Sequence, residues 1–242
     1  MIDTNDMYEI AGLQVKIPNP GETLYRQAAP YKSGYSGLPD LLIEPDGAAM
    51  SRIRNTYPKE TDDMLNYVLT NAMFYAALLD HNGFGLHASA ISYEGRAILF
   101  SAPCGTGKST HAKLWLDYFG ENRVFVINDD KPALRLGNSG FDVYGTPWSG
   151  KTDLSRNVSV PLLAVVFLEQ ADHNSIRKLD GREAAIMLYY QSMKSQKSRE
   201  RMEKLLDQLD RLIRSTDVYK LSCRADGGAV ETAYRAVMES GK

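Results

Sequence analysis

The spacing of apolar residues changes several times along the chain, and each change marks an element. Leu13, Val15 and Ile17 alternate with polar neighbours, the period of a half-buried strand, before a turn at Pro18 to Gly21. Leu41 to Glu44 reads as a second short strand between Pro39 and the Pro45-Asp46-Gly47 turn. From Asp62 to Asp80 the period lengthens to that of a helix, with Met64, Leu65, Val68, Leu69, Ala72, Met73, Tyr75, Ala76 and Leu79 forming a wide apolar stripe suited to core packing.

Beyond His81 strand patterns return. Phe84 to Tyr93 predicts one strand, Glu94-Gly95 a tight turn, and Arg96 to Ser101 a second strand. Helical spacing follows over His111 to Phe119, at Ala112, Trp115, Leu116 and Phe119. Val124 to Asn128 is a buried-type strand, Ala133 to Leu136 and Phe141 to Tyr144 flank a Gly137 to Gly140 hairpin turn, and Leu162 to Glu169 is the next apolar run, with Pro161 marking its start. The remainder predicts helices at Arg182 to Ser192 and Ser198 to Arg214, a strand at Val218 to Cys223 and a closing helix at Gly228 to Glu239. The second of these helices is densely charged between its apolar positions, as a solvated face would be.

Together these elements predict a single α/β domain over residues 1–242. It would have a β-rich N-terminal segment (1–60), a core (84–170) containing the glycine-rich stretch SAPCGTGKST, a nucleotide-binding candidate, and a helical C-terminal part (180–242). The hairpins argue for a mixed sheet rather than an all-parallel one.

Candidate chemistry concentrates between the strand ending at Ser101 and the helix that follows. Ser101 to Thr110 reads SAPCGTGKST, which matches the phosphate-binding pattern G-x-x-x-x-G-K-[ST] except that Ala102 replaces the first glycine. Gly105 and Gly107 permit positive φ and bring backbone N–H groups close to phosphate oxygens. Lys108 supplies a point charge for the β and γ phosphates. Ser109 offers a hydroxyl to Mg²⁺ at the start of a helix whose dipole favours an anion. Gly105, Thr106, Gly107, Lys108, Ser109 and Thr110 are therefore the candidate nucleotide contacts, with a chance glycine-rich turn as the alternative. Strand, loop and helix is the arrangement such a loop requires.

Asn128, Asp129 and Asp130 close the next apolar strand and provide two carboxylates, one to hold Mg²⁺ and one to face an acceptor hydroxyl. A plain Asx turn is the other reading of such a pair. His87 shares a strand face with Ser89, where an imidazole can support a carboxylate or ligate a metal, or sit in the core as a satisfied histidine.

Composition narrows the partners. The 242 residues are 43% hydrophobic and 24% charged, and 28 Lys plus Arg against 30 Asp plus Glu leave a net charge of −2. Such a balance gives no general attraction to nucleic acid or an anionic membrane. Two cysteines, Cys104 and Cys223, one of them inside the candidate loop, suit a reducing compartment. The opening residues show no basic stretch followed by an apolar run, and no segment has membrane-spanning length, so a cytoplasmic location is expected. An oligomer is compatible with this composition.

The segment from His87 through Gly105-Thr106-Gly107-Lys108-Ser109 to Asp129-Asp130 resembles the nucleotide core shared by HPr serine kinases and ATP-dependent phosphoenolpyruvate carboxykinases. The likeness covers Phe84 to Leu168. It implies an HPr-kinase-like phosphotransferase using ATP and Mg²⁺, or Mn²⁺. In that scheme Lys108 lies on the β and γ phosphates, Ser109 on the metal, Asp129 acts as base and Asp130 is the metal partner. His87 would then either ligate metal or support the catalytic carboxylate. Both families use a later basic residue near the transferred phosphate, a role open here to Lys151 or Arg156. Carboxykinases are much longer, and the signature of the HPr kinase dephosphorylating activity is not evident.

The chain more nearly resembles small stand-alone HPr-kinase-like proteins, some of which phosphorylate serine in precursor peptides or as the free amino acid. The implied acceptor is a serine-containing peptide, a protein or a small molecule. A nucleotide-binding switch or peptide-recognition module without transfer activity, and a carboxykinase-like lyase, are the competing readings.

Overall fold

The computed structural model describes residues 7–194 and 198–239. The first six residues, part of the opening stretch read for a targeting signal, lie outside the described residues. Strands β1 (Met7–Ile10) and β2 (Leu13–Lys16) form a hairpin. Helix α1 (Gly21–Gln27), strand β3 (Leu41–Leu42) and helix α2 (Gly47–Thr56) follow, with β3 parallel to β2. The expected β-rich lead-in is thus corrected: strands of 4, 4 and 2 residues are outweighed by helices of 7 and 10. Neither helix is long enough to establish a clear apolar period, and α2 buries no side chain fully, so local capping identifies it better than hydrophobicity does. Asp46 accepts a hydrogen bond from the Ala49 amide at its N-terminus.

Helix α3 (Asp62–Leu78) starts at Thr61, whose hydroxyl accepts from the Met64 amide. It packs Phe74, Tyr75 and Leu78 against the N-terminal sheet, in a cluster with Tyr8, Ile10, Val15, Leu24, Tyr31 and Trp148. The single strand expected over Phe84 to Tyr93 is two strands, β4 (Gly83–Gly85) and β5 (Ala88–Tyr93). The break follows from a change of partner: β4 pairs with β8, while β5 pairs with β6 and β7. Between them the Leu86 and His87 amides donate to Pro132 O and Gln191 O at 3.3 and 2.9 Å.

Strand β6 (Arg96–Ser101), helix α4 (Lys108–Phe119) and strand β7 (Val124–Asn128) lie where their patterns place them, α4 beginning three residues earlier than its apolar spacing. Strands β8 (Ala133–Gly137) and β9 (Gly140–Tyr144) make the expected hairpin. Strand β10 (Ser159–Gln170) begins upstream of Pro161. Its first residues pair antiparallel with β9, and the later ones lie parallel to β6 and β12. Proline is accommodated where pairing changes over, next to a register shift between Leu162 and Ala164.

Strand β11 (Ser175–Lys178), mostly exposed and too polar to announce itself, pairs with the edge of β12. Helix α5 (Gly181–Gln191) opens with a capping box between Asp180 and Glu183. Helix α6 (Arg199–Ser215), strand β12 (Asp217–Cys223) and helix α7 (Gly227–Glu239) complete the chain. Among the described residues no helix is long and apolar enough to cross a membrane.

The larger sheet is nine-stranded and mixed, and its central strands are covered on both faces. Along β6, Ala97 and Leu99 face one cluster while Ile98 and Phe100 face the other; along β10, Val165 and Phe167 oppose Ala164, Val166 and Leu168. The first cluster is closed by Leu188 of α5 and Leu205, Leu209 and Leu212 of α6. The second is closed by Ala112 and Trp115 of α4 and by Val230, Ala233 and Val237 of α7. Two buried faces explain why these strands read as continuous apolar runs. On α6 the outer face carries the i,i+4 pairs Arg199–Glu203, Glu200–Lys204, Asp207–Arg211 and Asp210–Arg214, as its charge pattern predicts.

Candidate functional site

The strand order β12, β10, β6, β5, β7 places β6 in the middle, and the loop that follows it emerges from the sheet between two flanks. Ala102 is buried, consistent with a position where only a small side chain leaves the sheet. Gly105 and Gly107 have φ of 80° and 109°, in the left-handed region, and a Cβ at either would meet nothing within 4 Å. Backbone conformation, rather than crowding, selects glycine there. Gly107 caps α4, and the His111 amide donates to its carbonyl at 2.9 Å. The first amides of α4 therefore point out of the helix end, as any helix requires. Lys108 is largely buried and donates from Nζ to the carbonyls of Ala102 (3.0 Å) and Pro103 (3.4 Å), with burial lowering its pKa.

On one flank, β7 ends in Asn128, which is completely buried and organises the next three residues. Its Oδ1 accepts from the amides of Asp130 (3.0 Å) and Lys131 (2.7 Å), and its Nδ2 donates to Thr146 O (2.9 Å). This is the Asx turn considered for the Asp pair, but it is made by Asn128, so neither aspartate carboxylate is used up in closing the turn. The sequence signal was an Asn ahead of the two carboxylates.

Asp129 is buried. The Ser89 hydroxyl donates to its Oδ1, while its Oδ2 is buried with no hydrogen-bond partner. Asp130 forms an ion pair with Lys131 and lies 3.6 Å from His87 Nε2. Lys131, absent from the sequence-based candidates, thus contributes a cation beside the pair. On its other side His87 Nδ1 is 3.2 Å from Gln191 Oε1. Burial, and then the nearby Lys108 charge, lower the His87 pKa, which favours neutral imidazole.

A third segment closes the site. Trp148 is fully buried and stacked on Phe74 with 4.8 Å between ring centroids, which anchors the chain ahead of Gly150. Gly150 has φ of 69°, and a Cβ there would come within 3.0 Å of Asp130 Cβ, so the loop carrying Lys151 lies against the carboxylate pair. Gln27 Nε2 donates to Gly150 O at 3.3 Å from the other side.

These segments surround a cleft of about 480 Å³ that is lined by His87, Gly105, Gly107, Lys108, Ser109, Thr110, Asp129, Asp130 and Lys151. The cleft therefore brings together every candidate residue except two, Thr106 and Arg156; Thr106 faces a neighbouring cleft and bonds Pro103 O through its hydroxyl. Arg156, the other candidate for a basic role, stacks 4.7 Å over Phe125 and does not line the cleft. Among the described residues no group of three or more His, Cys, Asp or Glu side chains could hold a metal ion. The donor set does fit a hard cation that takes one or two carboxylates and completes its shell with water and phosphate oxygens, as Mg²⁺ does.

Comparison with known proteins adds a family. No curated protein matches the chain. Among solved structures, the HPr(Ser) kinase/phosphatase from Coxiella burnetii is similar over 65% of this chain and 99% of its own, at 11% sequence identity and a TM-score of 0.39. The model of the SynChlorMet cassette protein ScmC matches residues 52–238, from within α2 almost to the end of α7, including every residue lining the cleft. A match over well more than half of its length makes this chain a member of the SynChlorMet cassette protein ScmC family.

Proposed function

We propose that the chain is an ATP-dependent kinase that transfers the γ-phosphoryl group to a hydroxyl, with serine of a peptide or protein, or free serine, as the acceptor. The observation that carries this reading is the convergence on one cleft of a glycine-turned loop with Lys108 and Ser109 and of the Asp129-Asp130 pair, with Asp129 Oδ2 buried and unpartnered. A buried carboxylate oxygen without a partner is costly in isolation and gains most from a donor brought by a ligand.

In this scheme the loop amides and Lys108 bind the phosphates, and Ser109 and Asp130 would hold Mg²⁺, which neutralises phosphate charge when bound. Asp129, oriented by Ser89, takes the proton of the acceptor hydroxyl. The acceptor oxygen forms a bond to the γ-phosphorus as the bond to the β–γ bridging oxygen breaks, and ADP carries away that electron pair. His87 lies beside Asp130, 3.6 Å away, and Lys151 lines the same cleft, where its charge is available to the transferred group. Catalysis then comes from positioning and charge compensation.

Incubation with γ-labelled ATP, Mg²⁺ and serine-containing acceptors is the test. Labelled phosphoserine should form with the native chain and be lost with Asp129→Asn, which should still bind nucleotide. Undiminished transfer by that variant would remove Asp129 from the role of base.

A further inference from the structure

Helix α3 has two apolar faces, and the fold uses one of them. Phe74, Tyr75 and Leu78 pack into the N-terminal cluster, whereas Met64, Val68 and Ala72 stand exposed at successive turns of the other face. Leu69, Met73 and Ala76 beside them are only half-buried. Much of the stripe whose spacing suits core packing is therefore on the outside, and a helix that is apolar all round calls for a cover.

That outer face lines a groove of about 550 Å³ together with Leu42 of the edge strand β3 and Ala49 of α2. Ala72 and Ala76 leave room for bulky side chains of an occupant, and Met73 can adapt to their shape. Among the described residues no acidic side chain lines the groove, and its two cations are Lys194 and Arg201. Arg201 shares the Asp80 carboxylate with Lys204. Lys194 lies 4.3 and 5.4 Å over the rings of Tyr189 and Tyr190 and has no carboxylate partner among the described residues. The groove thus suits an apolar segment that also carries negative charge.

Lys194 also connects the groove to the cleft of the proposed chemistry. Exposed Tyr190 is followed by Gln191, whose Oε1 lies 3.2 Å from His87 Nδ1 and whose carbonyl accepts from the His87 amide. From Gln191 to Lys194 the chain spans at most about 11 Å, a distance that a few residues of extended peptide cover. We infer that the groove docks the acceptor, a peptide or protein segment with a bulky apolar side chain and a neighbouring carboxylate a few residues from the serine, rather than free serine. The apolar side chain covers the outer face of α3, and the carboxylate meets Lys194. This rests on the kinase reading. A second copy of the chain is a poorer occupant, because a symmetric contact through this face brings two basic rims together.

Transfer from γ-labelled ATP to a positional library of short peptides with serine at the centre reads the preference directly. The native chain should select an apolar residue and an Asp or Glu at fixed offsets, and use the selected peptide about a hundredfold better in kcat/KM than free serine. Ala72 is exposed on α3 and glutamate suits a helix, so Ala72→Glu charges the groove without disturbing the core. It should raise KM for the selected peptide about tenfold or more, with kcat changed less than about twofold. Lys194→Glu should act in the same direction, and a peptide with Lys in place of its acidic residue should restore KM in that variant, a rescue that general loss of structure could not give. Free serine used as well as any peptide, no sequence preference, or an unchanged KM in either variant would overturn the inference and leave the kinase reading in place. A native dimer that Ala72→Glu dissociates would assign the groove to a second copy and overturn the inference as well. Absence of transfer to every peptide and to serine would overturn the kinase reading and this inference with it.

Discussion

Removing the Asn128 side chain should uncouple the aspartate pair from the fold. In Asn128→Ala the amides of Asp130 and Lys131 lose their acceptor, while Thr146 O retains the Ser155 hydroxyl at 2.8 Å. Two partly buried N–H groups are therefore orphaned and one carbonyl is not. At about 1–3 kcal/mol for each unsatisfied group, and with partial access to water lowering both, the expected loss is about 2–4 kcal/mol. Urea denaturation should show a lower midpoint with an unchanged slope, since the surface exposed on unfolding stays the same. Asn128→Asp keeps the two accepted bonds but sets a carboxylate oxygen against Thr146 O, beside Asp129 and Asp130. Its deficit relative to the native chain should therefore shrink as pH falls and the new carboxyl protonates. A loss below about 0.5 kcal/mol in Asn128→Ala would refute the view that this side chain holds the turn.

Three further outcomes follow from other parts of the molecule. His111 is buried against Phe100 and accepts from Trp115 Nε1, and burial lowers its pKa to about 4, so the folded state favours the neutral ring. Its contribution is complete above the unfolded value near 6.5 and is lost as pH falls towards 4, about 3 kcal/mol in all; His111→Gln should flatten the stability profile over that window, and an identical profile would refute this. Truncating the fully buried Trp148 to Ala should cost about 3–5 kcal/mol by thermal or chemical denaturation, and a cost under about 1 kcal/mol would show that the Lys151 loop is not anchored there. Lys151→Ala should lower kcat about tenfold or more while changing nucleotide affinity less than about threefold; equal losses in both would make it a binding residue instead.

Much of this arrangement is legible in the sequence because it is local. The loop from Ala102 to Thr110 is contiguous, its strand and helix have clear periods, and the Asp pair ends an apolar run. Less legible are the features that depend on distant partners. Phe84 to Tyr93 looks like one strand because both halves are apolar, and only the partner change at Leu86 and His87 divides it. Polar β11 owes its pairing to β12, and α1 and α2 are too short for their periodicity to stand out. Lys131 and Gln191 touch site carboxylate and imidazole, yet nothing in their local sequence distinguishes them from ordinary polar residues.

The seam at His87 also has a bearing on when the site can exist. The His87 amide donates to Gln191 O and the Ala88 amide to Asp130 O, so the imidazole is set by main chain 104 and 42 positions downstream. Loop closures over such separations are entropically expensive and come late in folding. During synthesis, a chain that has emerged only as far as β10 already has the loop and both aspartates, but the Gln191 clasp on His87 is still missing. Completion of α5 is thus a built-in delay between forming the Ala102 to Thr110 loop and completing the cleft.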